Sequence, residues 1–279
     1  PELTKRGYPA EKIVGSLGGA STLGLLIPPS IIMIVYGVAA EVSIAKLFVA
    51  GVIPGLLLAV LFSGAIVVWA LLNPQAVPES DGSLSFMDKL RESRHLIPVV
   101  LLIGGVIGTI YSGIATATEA SAIGAFLALL IVIARGRFEW ATFASALWET
   151  GRTSAMILFI VVGATAFTGV FNITGGLHAA QSLMRGLDME PWMLITMMML
   201  VIFIMGMFLD WTGIVLLSFP IFLPVVREMG ISELWFVVLT AVVLQTSFLT
   251  PPFGYALFYL RALAPKEVKT SDIIMGVMP

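Results

Sequence analysis

Gly24-Leu25-Leu26-Ile27-Pro28-Pro29-Ser30 is the stretch on which the fold turns. Two consecutive prolines remove two backbone N–H donors and push the preceding residue out of the α region. No regular helix passes through them, although Ile13 to Ala39 is otherwise one apolar run. Of the 279 residues, 58% are hydrophobic and 11% charged, whereas a soluble domain carries roughly 25% charged residues. Most of the surface therefore faces lipid, which implies an all-α integral membrane protein. In lipid, non-helical backbone survives only where protein buries it or a cavity hydrates it. The expectation is a discontinuous membrane helix, unwound over Leu25 to Pro29.

The interruption recurs. A displacement of 223 residues carries Pro28-Pro29 onto Pro251-Pro252, Leu26 onto Leu249, Val14 onto Val237, Tyr36 onto Tyr259 and Gly7 onto Gly230. Val237 to Ala262 thus reads as a second interrupted helix, unwound at Leu249 to Pro252. Internal repeats of this kind recur in secondary transporters. A third apolar stretch, Trp192 to Val226, is punctuated by Gly206, Asp210, Gly213, Pro220 and Pro224. The uninterrupted apolar blocks are Leu47 to Leu72, Leu96 to Tyr111, Thr118 to Ala134 and Thr153 to Phe171. Pro74 to Ser83 is a linker. Ser85 to Arg94 and Phe138 to Trp148 read as short amphipathic connectors at the interface.

Positive charge orients the chain. With the start on the cytoplasmic side and Trp192 to Val226 re-entrant, twelve Lys and Arg fall inside and three (Lys46, Arg185, Arg227) outside. A single crossing by that stretch gives ten against five. The positive-inside rule favours the re-entrant hairpin, with Leu209 to Gly213 at its tip; a strained single span or two tight crossings remain open. In this topology the two interrupted helices run in opposite senses, as an inverted repeat. The chain then divides into a first-repeat part (1–39), connecting helices (40–150) and a second-repeat part (151–279), and it reads as truncated at both ends.

Unwound backbone exposes carbonyl oxygens that suit a hard cation such as Na⁺, and half-helix N-termini that suit an anionic group. For Na⁺ the candidates are Gly19, Gly24 and Leu25 at the first break, Leu209, Asp210 and Thr212 at the hairpin tip, and Ser247 and Thr250 at the second break. For an organic anion they are Ser21, Thr22, Ser30, Gln245 and Thr246. Asp210 fits an N-cap equally well, and Glu119 reads as the carboxylate of a capping box. A net charge of −2 gives no sign of nucleic acid, and the chain has no cysteine. His95 and His178 share no ligand spacing, and no Ser–His pair or buried carboxylate pair suggests an enzyme. An ion channel, or a proton-coupled transporter without a binding protein, is the alternative to a Na⁺-coupled transporter.

Several runs resemble the large membrane subunit of tripartite ATP-independent periplasmic transporters. They are Lys5-Arg6-Gly7-Tyr8, Thr22-Leu23-Gly24 through Ser30, Tyr36-Gly37-Val38, Ala50 through Leu56, Tyr111 through Ala120, Gly206 through Asp210, and Leu249-Thr250-Pro251-Pro252. Ala117 stands where that family usually has proline. The resemblance implies the ion transporter superfamily fold, an elevator mechanism and Na⁺-coupled symport in a bacterial inner membrane. It also implies two partners besides the lipid bilayer: a small four-helix membrane subunit, and a periplasmic binding protein that delivers a small-molecule carboxylate.

Overall fold

The computed structural model describes residues 3, 7–78, 87–88, 93–186, 189–251, 254–264 and 268–277. Among them every regular element is helical. They fall into two compact units, one of Pro1–Pro78 with Phe159–Pro279, the other of Glu79–Leu158.

In the first unit, α1 (Ala10–Thr22) ends in a 3-10 turn over Leu23–Leu25, and α2 (Ile31–Ala39) resumes after the double proline. Ser30 holds the gap together: its Oγ accepts from Met33 N at 3.4 Å and donates to Leu25 O at 2.8 Å. The cap satisfies one of the orphan donors of α2. Next comes α3 (Ile44–Leu72), which begins at the Ser43 cap and continues through Pro54. Gly51 and Gly55 are one turn apart on it and form a bare strip against the break. A methyl on Gly51 would lie 2.8 Å from Leu26 O, and one on Gly55 2.7 Å from Ile27. Leu26 is fully buried there.

The hairpin expected over Trp192 to Val226 consists of α8 (Pro191–Gly206) and α9 (Trp211–Glu228), which pack on each other across a turn at Met207 to Asp210. Pro220 and Pro224, read as interruptions, lie inside a continuous α9. Burial of Phe219, Phe222, Leu223 and Val226 around them packs the helix in place despite the missing donors. The second interrupted helix is α10 (Glu233–Ser247) followed by α11 (Tyr255–Leu263), with Gly254 at φ +49° before α11. Pro252 lies outside the described residues. Tyr36 on α2 meets Phe219 on α9 at 5.8 Å, and Phe219 meets Phe236 on α10 at 6.4 Å. This aromatic chain ties the first interrupted helix to the hairpin and the second.

Two helices were not foreseen. α7 (Gly176–Gly186) follows the turn at Gly175, and α12 (Thr270–Val277) closes the described chain. α12 lies along α1 so tightly that a methyl on Gly15 would overlap the Gly276 carbonyl. Val14, Leu257, Val268 and Ile273 form a small core there, and Arg261 donates to the Val268 carbonyl.

In the second unit, α4 (Ile97–Tyr111) and α5 (Ala117–Ala134) form a hairpin in which Gly105 faces Leu127 and Gly124 faces Val106. The expected capping box is present: Thr116 N donates to Glu119 Oε2 at 2.8 Å, and Glu119 N donates to Thr116 Oγ1 at 3.3 Å. Of Phe138 to Trp148, read as a separate connector, Trp140 to Trp148 belong instead to α6 (Trp140–Ile173). Nothing stops the helix at Glu149 to Arg152, because a lone Gly151 costs only about 1 kcal/mol. At ~51 Å, α6 exceeds a ~30 Å hydrocarbon core. Most of Ser85 to Arg94 lies outside the described residues. Helices α3, α5, α6 and α9 are each long and apolar enough to cross a membrane.

Candidate functional site

The two breaks and the hairpin turn lie close together in the first unit. The turn at Leu23–Leu25 packs against α10, as does α2. Gly18 on α1 lies against Leu249 of the second break and Leu260 of α11. Gly206 ends the first arm of the hairpin directly on Ser247, so that a methyl at Gly206 would overlap the serine Oγ. Ser247 is fully buried, and its hydroxyl donates to Leu244 O at 3.0 Å.

Each expected cation ligand has a definite environment. Asp210 caps α9, with its Oδ2 accepting from Thr212 N at 3.0 Å, and Thr212 is buried. Leu209 is exposed at the turn. Among the described residues, the carbonyls of Met207 and Leu209 accept no backbone hydrogen bond. At the first break the Leu25 carbonyl is taken by Ser30 and the Gly19 carbonyl by Thr22 Oγ1 at 2.8 Å. Gly24 is exposed with open space beside it. Thr250 Oγ1 donates to Thr246 O at 2.9 Å, which leaves the lone pairs of its oxygen free to face a ligand.

A cavity of about 690 Å³ lies between α1, α3 and the second break. Gln245, Thr246 and Thr250 line it from the second break, and Gly19 from α1. The other substrate candidates, Ser21, Thr22 and Ser30, are not on its wall. Ser21 is exposed with its hydroxyl donated to Gly18 O, whereas Thr22 and Ser30 are buried in their own segment. Gln245 is 2% exposed, and among the described residues neither of its amide atoms has a hydrogen-bond partner. A buried unpaired amide costs about 1–3 kcal/mol, and both amide atoms lie beneath the surface of the cavity wall.

Two wall residues escaped the sequence reading. Lys12 on α1 lines the cavity, and its ammonium sits 5.6 Å from the centre of the Trp69 ring on α3. That distance is within cation–π range. The heptad spacing of Lys12 and Gly19, two turns apart on one face of α1, was the available signal.

The whole chain, residues 1–279, matches the family model described as the tripartite ATP-independent periplasmic transporter, DctM component. Among named relatives, it is 32% identical over 262 residues to the C4-dicarboxylate TRAP transporter large permease protein DctM of Pseudomonas aeruginosa, covering 94% of this chain and 61% of that one. It is 30% identical to the isethionate TRAP transporter permease protein DctMQ of Oleidesulfovibrio alaskensis, covering 96% and 42%. It is 31% identical to the ectoine/5-hydroxyectoine TRAP transporter large permease protein UehC of Ruegeria pomeroyi, covering 100% and 64%. The chain spans less than two thirds of the length of each.

Proposed function

Because the chain belongs to the DctM component family of the tripartite ATP-independent periplasmic transporters, we propose that it carries the ion- and substrate-binding breaks of a Na⁺-coupled symporter for small organic anions. In this reading the interrupted helices are inverted repeats and α8–α9 is a re-entrant hairpin. The protein works as an elevator in a bacterial inner membrane. A small four-helix membrane subunit braces it, and a periplasmic binding protein delivers the anion.

The observation that carries the reading is the seating of the hairpin on the second break at Gly206 and Ser247. Carbonyls with no backbone partner lie just beyond that contact, at Met207 and Leu209. They supply oxygen to Na⁺ without the cost of burying a full charge. An ion held there would fix the hairpin on the break and offset the charge of a nearby anion. Ion and substrate affinities should then rise together, because coupling is reciprocal.

The test is uptake into proteoliposomes of the full-length complex, with candidate binding proteins added and a Na⁺ gradient imposed. Accumulation that follows the Na⁺ gradient and collapses when K⁺ replaces Na⁺ is expected. Accumulation indifferent to Na⁺, or driven by a pH gradient alone, would overturn the reading.

A further inference from the structure

We infer that Tyr36 is a positioning residue for the hairpin turn: it pins the second arm to the first interrupted helix, as Ser247 pins the first arm to the second. The inference rests on the reading above for the idea that the turn binds an ion. It goes beyond that reading in assigning the placement of the turn to a side chain outside both the turn and the second break.

The turn at Met207 to Asp210 is held at each end by a different interrupted helix. Before it, Gly206 ends α8 on Ser247 of α10. After it, Trp211 opens α9, and its ring lies 6.3 Å from that of Tyr36 on α2. Tyr36 also meets Phe219 edge-on at 5.8 Å. Both separations fall within the ~4.5–7 Å at which aromatic rings attract each other beyond the effect of burial. Trp211 and Phe219 are about two turns, ~12 Å, apart along α9, and the Tyr36 ring occupies the interval between them. A slide of α9 along its axis would press one of these rings onto Tyr36 and part the other from it. Tyr36 is 1% exposed, so the contact is dry.

The helix that carries Tyr36 is a firm support. Ser30 caps its start. A methyl on Gly37, the next residue, would lie 2.8 Å from Ile44 of α3. Close packing of this kind transmits a displacement instead of absorbing it. With both ends of the turn fixed, the Met207 and Leu209 carbonyls hold their arrangement before any ligand arrives. Ligand groups ordered in advance lose less freedom on binding, and so bind more tightly.

The experiment is thiol labelling of Thr212→Cys in the full-length protein, in phosphatidylcholine nanodiscs without Na⁺ and in a background freed of other cysteines; residues 1–279 contain none. Thr212 is buried just beyond Trp211, and only its backbone N–H serves the Asp210 cap, so the change leaves the cap in place. A water-soluble methanethiosulfonate reagent should label this parent slowly. Tyr36→Leu keeps an apolar side chain and removes both ring contacts. It should speed labelling about three- to tenfold, the equilibrium worth of an aromatic pair. Tyr36→Phe keeps the ring and should stay within about twofold of the parent. Trp211→Leu breaks the contact from the other side. It should match Tyr36→Leu, and it decides the case if Tyr36→Leu does not fold. Ile273→Ala, in the separate core beside α12, gauges general destabilisation and should leave labelling unchanged.

With Thr212 intact, Tyr36→Leu should raise the Na⁺ concentration for half-maximal uptake about three- to tenfold and keep the maximal rate within about twofold. A merely structural loss would lower the maximal rate and leave that concentration alone. Unchanged labelling in both Tyr36→Leu and Trp211→Leu would overturn the inference. So would an equal rise in Ile273→Ala, or a Tyr36→Leu protein that loses only maximal rate. The labelling needs no Na⁺. If wild-type uptake proves indifferent to Na⁺, the symport reading falls, and labelling alone decides whether Tyr36 seats the turn.

Discussion

The two proline breaks have related sequences and opposite surroundings. At the first, much of the unwound backbone is packed: Ser30 takes the Leu25 carbonyl, Leu26 is buried, and Gly51 and Gly55 bring α3 onto the gap, while Gly24 and Ile27 stay exposed. At the second, Thr246 and Thr250 face a cavity, and among the described residues the Gln245 amide has no partner. One pattern, apolar flanks around Pro-Pro, therefore yields a packed joint in one place and an open wall in the other. Tertiary context decides which, because each route is an allowed way to satisfy non-helical backbone inside a membrane.

The largest effects should come from the glycines that bring other helices onto the two breaks. Gly51→Ala forces the α3 backbone away from the Leu26 carbonyl and should destabilise the protein by about 1–3 kcal/mol. Gly206→Ala should cost a similar amount, but its obstacles are side chains, Ser247 foremost with Leu244 behind it. Adding Ser247→Gly should therefore recover most of the loss, and no side-chain change should rescue Gly51→Ala so simply. Thermal unfolding of the four proteins in detergent, read as a double-mutant cycle at Gly206 and Ser247, checks the contrast. Strict additivity there would show that the hairpin does not rest on the second break.

Next in size is Ser30→Ala. It removes the cap of α2 and leaves the Leu25 carbonyl unpaired, at a cost of about 1–3 kcal/mol. Among the described residues the second break shows no such lock, since α11 begins after Gly254 without a side-chain cap. Gln245→Leu should act in the opposite direction. It deletes two buried unpaired amide atoms and should stabilise the ligand-free protein by about 1 kcal/mol. The same change should weaken uptake. A variant that melts later and transports worse would mark the second break as the working one; lower stability would mean that Gln245 has a structural partner.

Much of this was legible in the sequence because it is local. Proline chemistry located both breaks, Asp210 and Thr116–Glu119 signalled helix starts, and glycine with aspartate marked the hairpin turn. What stayed hidden is tertiary. Lys12 and Trp69 come from elements far apart in sequence, and no spacing rule joins them to each other or to Gln245, which the sequence did single out. Lys12 looked like one more positive-inside charge. The glycine contacts were equally silent, since an apolar helix with Gly51 and Gly55 reads the same whether it meets lipid or a break. Pro220 and Pro224 misled for the converse reason: packing around Phe219, Phe222 and Leu223 overrides a local rule.

The smallest expected effect is the most specific to ion binding. Thr250→Val keeps the shape and removes an oxygen whose proton is already committed to Thr246 O. Stability should therefore change little, because the lost hydrogen bond is local and Thr250 is only half-buried. If its lone pairs help to hold Na⁺ together with the free carbonyls, the Na⁺ concentration for half-maximal uptake should rise by about two- to fivefold, the equivalent of one modest ligand contact. Thr246→Val is the matched control on the same wall, since its side chain is more exposed and should contribute less. At the packed first break, Thr22→Val should leave the Na⁺ dependence alone, because the Thr22 hydroxyl is turned onto the Gly19 carbonyl inside its own helix. If Thr250→Val and Thr246→Val both leave Na⁺ dependence unchanged, side-chain hydroxyls have no part in the site and the carbonyls bind alone. If Thr22→Val shifts it as strongly as Thr250→Val, the contrast between a packed break and a working one is wrong.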